Sequence, residues 1–228
     1  VKSISEIVKK DSFISLAKEA WFEQEIKKSV FIAHAKPVKS VEEAEAFIAD
    51  EWNKYKDATH IVYAWSVGKE LGNIQQRFSD NGEPQGTSGP PVFDVLDKNS
   101  IHDAIITVTR YYGGTLLGTG GLVKAYGSSA SGVVKNARLV QLVPGIELVV
   151  NMPYSFNDTF NYRLDLLSNQ VNVLDRQYTS SVFVKCIVDL SFYNEFIDLV
   201  NEISSRTAEI EIRDNTYQAK PIDYLEEE

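Results

Sequence analysis

Two carboxylates, a histidine and an arginine accompany the two most glycine-rich stretches of this chain, and together they could bind or act on an anion. The first stretch runs Ser79-Asp80-Asn81-Gly82-Glu83-Pro84-Gln85-Gly86-Thr87-Ser88-Gly89. Asp80 and Glu83 stand three residues apart on a loop that Asn81-Gly82 turns and Pro84 stiffens, so they could converge as metal ligands or as an acid/base pair. Equally, they could accept loop N–H groups and hold the turn closed, and two carboxylates without further ligands favour this second reading. His60, between Thr59 and Ile61 on an apolar run, could exchange a proton while one ring nitrogen bonds a carboxylate such as Asp80. Alternatively it is a half-buried ring satisfied by the glycine loop. The second stretch, Thr109-Arg110-Tyr111-Tyr112-Gly113-Gly114-Thr115-Leu116-Leu117-Gly118-Thr119-Gly120-Gly121, follows the strand-like Ala104–Val108 and precedes the helix-like Leu122–Tyr126. That order leaves unpaired N–H groups at a helix start, where an anion is stabilised. Arg110 could fork onto a phosphate, although pairing with Glu83 or Asp80 is slightly favoured. Lys124, expected in the first helical turn, is opposed by the helix dipole and therefore points to an anionic neighbour. Tyr111 and Tyr112 are expected to divide between core and surface.

Eight of the 13 glycines fall in these two stretches. Glycine costs backbone entropy and adds nothing to a core, so this concentration marks a candidate face: Gly82, Gly86, Thr87, Gly113, Gly114, Gly118, Gly120, Gly121 and Lys124. Other chemistry is poorly supported. A single cysteine, Cys186, excludes an intrachain disulfide and a thiolate zinc site, and its place in the alternating Val182–Val188 run reads as packing. The three histidines lack metal-site spacing, His34 and His102 read as incidental, and no metal or cofactor is expected. Neither a phosphate-binding loop of Walker type nor a G-x-S-x-G elbow occurs. Gly127-Ser128-Ser129-Ala130 echoes a small-molecule kinase loop but falls inside a helix instead of opening one.

The elements that must position these residues follow from periodicity. Strands are expected at Phe13–Trp21, Ser29–Ala35 and Thr59–Gly68, with a helix capped by Ser40 that carries Ala44, Phe47, Ile48 and Trp52 on one face. A long loop is expected from Leu71 to Pro91, then a short helix around Val92–Leu96. The helix from Leu122 to Ala137 is rich in small residues and invites close approach of a neighbour. Beyond Pro144-Gly145 the pattern reads strand (146–150), helix (157–167), strand (171–174), strand (182–190), helix (193–203) and strand (208–212). This is the βαββαβ order of a ferredoxin-like domain. The predicted class is α+β, with domains at 1–144 and 145–228.

Charge divides at the same point: residues 1–144 hold 17 basic and 17 acidic side chains, whereas 145–228 hold 6 and 15. The whole net charge of −9 therefore lies in the second part, which makes it a poor non-specific RNA binder. A hydrophobic content of 43% with no apolar run long enough to span a bilayer, and no secretory signal in Val1–Glu6, predict a cytoplasmic globular protein, and Glu226–Glu228 reads as a solvated end.

The motifs SDNGEPQGTSGPP and VTRYYGGTLLGTGGLVKAY, preceded by Asp57-Ala58-Thr59-His60, resemble those of the YigZ/IMPACT family over roughly residues 10–140. Asn81, Leu116 and Lys124 depart from the family's acidic residue, lysine and arginine. The resemblance implies an N-terminal domain like the second domain of a small-subunit ribosomal protein and a C-terminal domain like the last domain of elongation factor G. From the eukaryotic members it implies competition for a partner of a stress-response kinase. Two functions stay open. One is a translation-associated binding protein contacting a protein, RNA or the ribosome. The other is an enzyme acting on a small anionic or phosphorylated substrate with His60, Asp80, Glu83 and Arg110 around a cleft.

Overall fold

A computed structural model describes residues 12–68 and 73–222. Val1–Glu6, Leu71 and Glu226–Glu228, on which expectations fell, lie outside the described residues. The described chain divides into two compact units, Phe13–Gln141 together with Pro221 and Ile222, and Leu142–Lys220.

The first unit is built on an antiparallel sheet in the order β2-β3-β6-β4-β5, comprising β2 (Ala20–Ile26), β3 (Ser29–Pro37), β4 (His60–Val67), β5 (Gln75–Ser79) and β6 (Ala104–Tyr111). Each strand buries alternate residues on opposite faces. Phe31, Ala33, Ala35, Val62, Ala64, Ile106 and Val108 pack under α2 (Gly89–Lys98) and α3 (Thr119–Ala137). Trp65, Val67 and Ile105 pack under α1 (Val41–Lys54) on the other side. Lys27 and Lys28 both take positive φ, 48° and 66°, which matches the hairpin turn between β2 and β3 to the strand twist.

Several expectations are corrected. The strand foreseen at Phe13–Trp21 breaks at Ala17–Glu19. Its first half, β1 (Phe13–Leu16), joins β7 and its second half joins β3. Within the foreseen loop from Leu71, residues Gln75–Ser79 pair with β4 as an edge strand. Helix α1 is capped by Ser40, whose Oγ accepts from Glu43 N at 3.2 Å, but Trp52 is 40% exposed and Glu51 is buried instead. Glu51 can be buried because His34 Nδ1 meets its carboxylate at 2.9 Å and Thr107 Oγ1 donates to it at 3.2 Å. His34 is therefore not incidental: its other nitrogen meets Glu19 at 2.7 Å and its ring stacks on Trp21. His102 likewise shares a hydrogen bond with Ser66 at 2.9 Å.

The second unit follows the order β7 (Leu139–Met152), α4 (Asn157–Leu166), β8 (Val171–Tyr178), β9 (Val182–Asp189), α5 (Tyr193–Ile203), β10 (Glu209–Pro221). Strand β7 runs unbroken through Pro144-Gly145, and β8 and β10 are longer than their apolar cores suggested. The sheet order β10-β7-β9-β8 is the βαββαβ arrangement with its first and third strands central. Ile146, Leu148, Val150, Val182, Val184 and Cys186 face Phe160, Leu164, Phe196 and Val200 of the two helices. Burial pushes the Cys186 thiol up to about 12, Arg176 opposing weakly, so it behaves as an apolar group.

Small residues on α3 differ in what they permit. A Cβ on Gly132 would lie 2.7 Å from the Phe22 ring, whereas one on Gly127 would meet nothing closer than Pro91 at 3.9 Å. Gly132→Ala should therefore destabilise the first unit by about 1–3 kcal/mol. Gly127→Ala should stabilise it by about 0.5–1 kcal/mol, both read from urea denaturation midpoints.

Candidate functional site

Arg110 is the centre of the arrangement. In the sheet register it lies between Phe31 on β3 and His60 on β4, at the end of the row that buries Val108 and Val62. Its side chain is buried on the α2 and α3 face of the sheet, and its guanidinium lies 5.5 Å from both the Phe31 and Tyr112 rings. Such a charge must be neutralised where it stands. Nη1 donates to Glu83 Oε1 at 2.6 Å and Nη2 to Ser29 Oγ at 3.3 Å. The same Glu83 oxygen accepts from the fully buried Tyr126 hydroxyl at 2.8 Å. Burial first, then the Glu83 charge and hydrogen bond, hold that phenol well above its ordinary value.

The two carboxylates of the first loop do not converge. Asp80 Oδ1 accepts from Ser88 N at 2.9 Å and Gly89 N at 2.8 Å, and Oδ2 accepts from Gly86 N at 2.8 Å. It thus ties its own loop to the N-terminus of α2, where Ser88 provides no side-chain cap. Burial acts to raise the Asp80 pKa, but the amides of Gly86, Gly89, Ser88 and Thr87 together outweigh it and hold the carboxyl below its ordinary 3.8. His60 does not bond Asp80. Its Nδ1 donates to Asn81 O at 3.0 Å, which leaves Nε2 4.0 Å from Glu83 Oε2. Asn81, with φ 43°, donates through Nδ2 to Ile61 O at 2.6 Å and so fixes the turn against β4.

The glycines divide into two kinds. Gly113 is packed so tightly that a Cβ would fall 2.0 Å from the Lys28 carbonyl, and its N–H donates to Ser29 Oγ at 3.2 Å. Gly82 lies against the His60 ring and Gly121 against Leu117. By contrast, Gly86, Gly114, Gly118 and Gly120 have open space where a side chain would be. Thr87 is buried and bonded through Oγ1 to Pro84 O at 2.6 Å, so it belongs to the scaffold. Helix α3 begins at Thr119, three residues before the expected start, with Gly118 as a cap that lacks a side-chain bond. Lys124 is then beyond the first turn, exposed, and less opposed by the helix dipole than its sequence position implied. Tyr112 is 46% exposed and Tyr111 half-buried with its hydroxyl on Asp57 at 2.9 Å, so neither is a core residue.

The two motifs do meet, but through Arg110 and Tyr126. Tyr126 lies seven residues into α3, about 10 Å along the axis from its start, so Glu83 bonds the helix about two turns past the open glycines. Sequence reasoning missed Tyr126 and Ser29. The available signal was a tyrosine on the small-residue face Leu122, Ala125, Tyr126, Ser129 and Ala130, where its hydroxyl needs a partner. Among the described residues, no group of three or more His, Cys, Asp or Glu side chains is placed to hold a metal ion.

Comparison with known proteins agrees with this architecture. The profile described as Impact N-terminal domain matches residues 27–134. The IMPACT family member YvyE of Bacillus subtilis is 31% identical over 218 residues, covering 95% of this chain and 98% of that protein. The IMPACT family member YigZ of Escherichia coli is 39% identical over 131 residues, 58% of this chain and 64% of that protein. The crystal structure of a hypothetical protein superposes with a TM-score of 0.58 at 29% identity, covering 90% of this chain and 98% of the other. The chain belongs to the IMPACT family.

Two measurements test the scaffold. Glu83→Ala, which leaves Arg110 buried without its counter-charge, should lower stability by about 3–5 kcal/mol, and Tyr126→Phe by about 1–2 kcal/mol, in chemical denaturation. Because folding depresses the Asp80 pKa, its contribution is full above the ordinary 3.8 and is lost as pH falls through the lower folded value. The stability gap between wild type and Asp80→Asn should therefore be constant down to about pH 5 and shrink below about pH 4.

Proposed function

We propose that this protein is a translation-associated regulatory binding protein, with domains at 1–144 and 145–228. It presents the loop from Tyr112 to Gly121 and the adjoining Lys124 to a protein or ribosomal partner. One observation carries the reading: the candidate acid/base groups already have partners within the fold, while several glycines of the second motif are exposed with open space where a side chain would be. Glu83 neutralises Arg110, Asp80 accepts three amides and His60 Nδ1 is held by a carbonyl. About two helical turns from the Glu83–Tyr126 contact, Gly114, Gly118 and Gly120 have open space at their Cβ positions, close in the chain to the exposed Leu116 (82%) and Lys124. A braced loop of this kind suits recognition, since little order is lost when a partner binds. What the family resemblance implies for the eukaryotic members supports a role in translational control. So do the implied likenesses of the first domain to a ribosomal protein domain and of the second to the last domain of elongation factor G. Contact through the first domain fits the charge division, because the second carries the surplus of acid. The protein is placed by this reading in the cytoplasm. Among the described residues no helix is long and apolar enough to cross a membrane.

A second reading, an enzyme on a small anionic substrate, is favoured by one feature. With Nδ1 donating to Asn81 O, His60 places its Nε2 4.0 Å from Glu83 Oε2, so a histidine and a carboxylate stand together at the edge of the loop. Co-sedimentation with ribosomes through a sucrose cushion separates the two. Wild type should pellet at low salt and be released as salt rises. Lys124→Glu should weaken pelleting by roughly tenfold and His60→Ala should leave it unchanged. Pelleting that is absent, or indifferent to Lys124→Glu, would sink the loop-face reading. Stabilisation of the wild type against heat by inorganic phosphate, lost in His60→Ala, would favour the enzyme.

A further inference from the structure

Strand β2 is one edge of the first unit's sheet, paired with β3 in a register that runs without a shift from Ala20↔Ala35 to Ile26↔Ser29. Its alternate residues have opposite fates. Phe22 lies against Gly132 of α3, and Gln24 Nε2 donates to Ala125 O at 3.1 Å and to Ser129 Oγ at 2.7 Å, so this set is fixed to the helix. Trp21, Glu23 and Glu25 lie on the other face of the strand and are exposed. The main chain divides in the same way. Ile26 and Ser29 close the two-residue turn at Lys27-Lys28 as a hydrogen-bonded pair, and from there alternate residues of an antiparallel ladder point both main-chain groups toward the partner strand or away from it. Ala20, Phe22, Gln24 and Ile26 therefore bond to β3, whereas Trp21, Glu23 and Glu25 point outward. Asn136 Nδ2, donating to the outward Trp21 carbonyl at 2.7 Å, fits this division. Among the described residues nothing takes the outward groups of Glu23 and Glu25. We propose that this edge receives an extended basic segment of a partner protein as an added strand, with Lys or Arg side chains opposite Glu23 and Glu25 and an apolar side chain opposite Trp21.

Three observations define the occupant. The first is the open edge itself. Proline, a bulge or a lysine commonly closes such an edge, and the seven residues of β2, Ala-Trp-Phe-Glu-Gln-Glu-Ile, contain none of these. Only carboxylates guard it, and a carboxylate admits or rejects a strand by charge. The second is the row those carboxylates form. On β3 the half-buried Ile32 and Val30 stand opposite Glu23 and Glu25, so the sheet supplies no cation to answer them. Glu19, just before the strand, is already engaged by His34 at 2.7 Å. The nearest cations along the chain, Lys18, Lys27 and Lys28, flank the two ends of β2 and leave its middle acidic. Opposite charges across a strand pair attract and like charges repel, so a second copy of this edge is disfavoured and a basic strand is selected. The third is Trp21. It is 48% exposed, yet its ring stacks on His34 at 4.3 Å and has the Lys54 ammonium 5.7 Å from its centre. An exposed tryptophan held in place is the kind of side chain that anchors an interface. Main-chain bonds at Glu23 and Glu25 would supply affinity, and the alternate side chains specificity.

The test uses the full chain and a blocked synthetic peptide, Thr-Lys-Thr-Lys-Thr-Val-Thr, which pairs antiparallel with β2 as every neighbour in this sheet does. Amide hydrogen exchange is followed by NMR at up to about 5 mM peptide, where even a millimolar complex is mostly formed. Exchange should slow at Glu23 and Glu25 and stay unchanged at Phe22 and Gln24, which are already bonded to β3. A peptide N-methylated at both lysines keeps its charge but loses the donors, and should not bind. Glu23→Lys/Glu25→Lys, both at exposed positions, should weaken binding by about tenfold or more. The same variant should bind the peptide carrying Glu in place of Lys as wild type binds the original. Unchanged exchange at Glu23 and Glu25, equal binding of the N-methylated peptide, or failure of the charge swap would each overturn the proposal. So would a wild type that dimerises in sedimentation velocity with these two amides protected, which would give the edge to a second copy.

Discussion

A guanidinium and a carboxylate buried together at the end of a core row set the terms for everything around them. Arg110 occupies a position that on the preceding residues of its strand face belongs to Ile106 and Val108. Taking such a charge out of water costs several kcal/mol, and the Glu83 contact at 2.6 Å offsets this only while the geometry is held. The pair is therefore a demand on the loop from Ser79 to Gly89 more than a source of stability. Glu83 must arrive at one point, and the loop meets that demand with main-chain fixings. Asp80 gathers three amides, Asn81 reaches the Ile61 carbonyl, and Thr87 closes on Pro84.

The same constraint explains why glycine appears for two opposite reasons. At Gly113 the chain leaves the strand that carries Arg110 and passes directly over the Lys28 carbonyl, at a distance no side chain tolerates. That contact keeps Ser29 where its hydroxyl serves both Arg110 and the Gly113 amide. At Gly114 and Gly118 the requirement is conformational, with φ of 79° and 76° and open space beyond. Packing glycines thus anchor the loop at one end, and conformational glycines expose its backbone a few residues later.

Much of this was legible in the sequence because burial on one face writes a period into the residues. Alternation gave β3, β4 and β9, and helical spacing with Ser40 gave α1. Where burial is absent the signal is absent too: β5, Gln-Gln-Arg-Phe-Ser, is an edge strand held by main-chain bonds to β4, and its mostly polar composition reads as loop. The break at Ala17–Glu19 was hidden because both flanking segments alternate, and only the sheet assignment separates them. Glu51 was passed over for Trp52 because hydrophobicity ranks tryptophan inside. A carboxylate is buried only when its partners, here His34 and Thr107, come from distant strands. Glu83 and Asp80 were recognisable as candidates by spacing, but which one enters the core depends on Arg110 and Tyr126, 27 and 43 residues away.

Electrostatics separates the two units by kind of partner. The first unit's region is balanced at 17 basic and 17 acidic side chains, so a local surface such as that around Lys124 can present net positive charge toward a polyanion or an acidic protein. The second region, at 6 and 15, repels such partners over most of its surface. Even the open face of its sheet, where Lys185 meets Glu147 and Arg213 meets Glu211, carries Asp175 and Glu209 as well, so acid is in excess there too. Recognition of an anionic partner by net field is therefore confined to the first unit, and the second unit restricts it by repulsion.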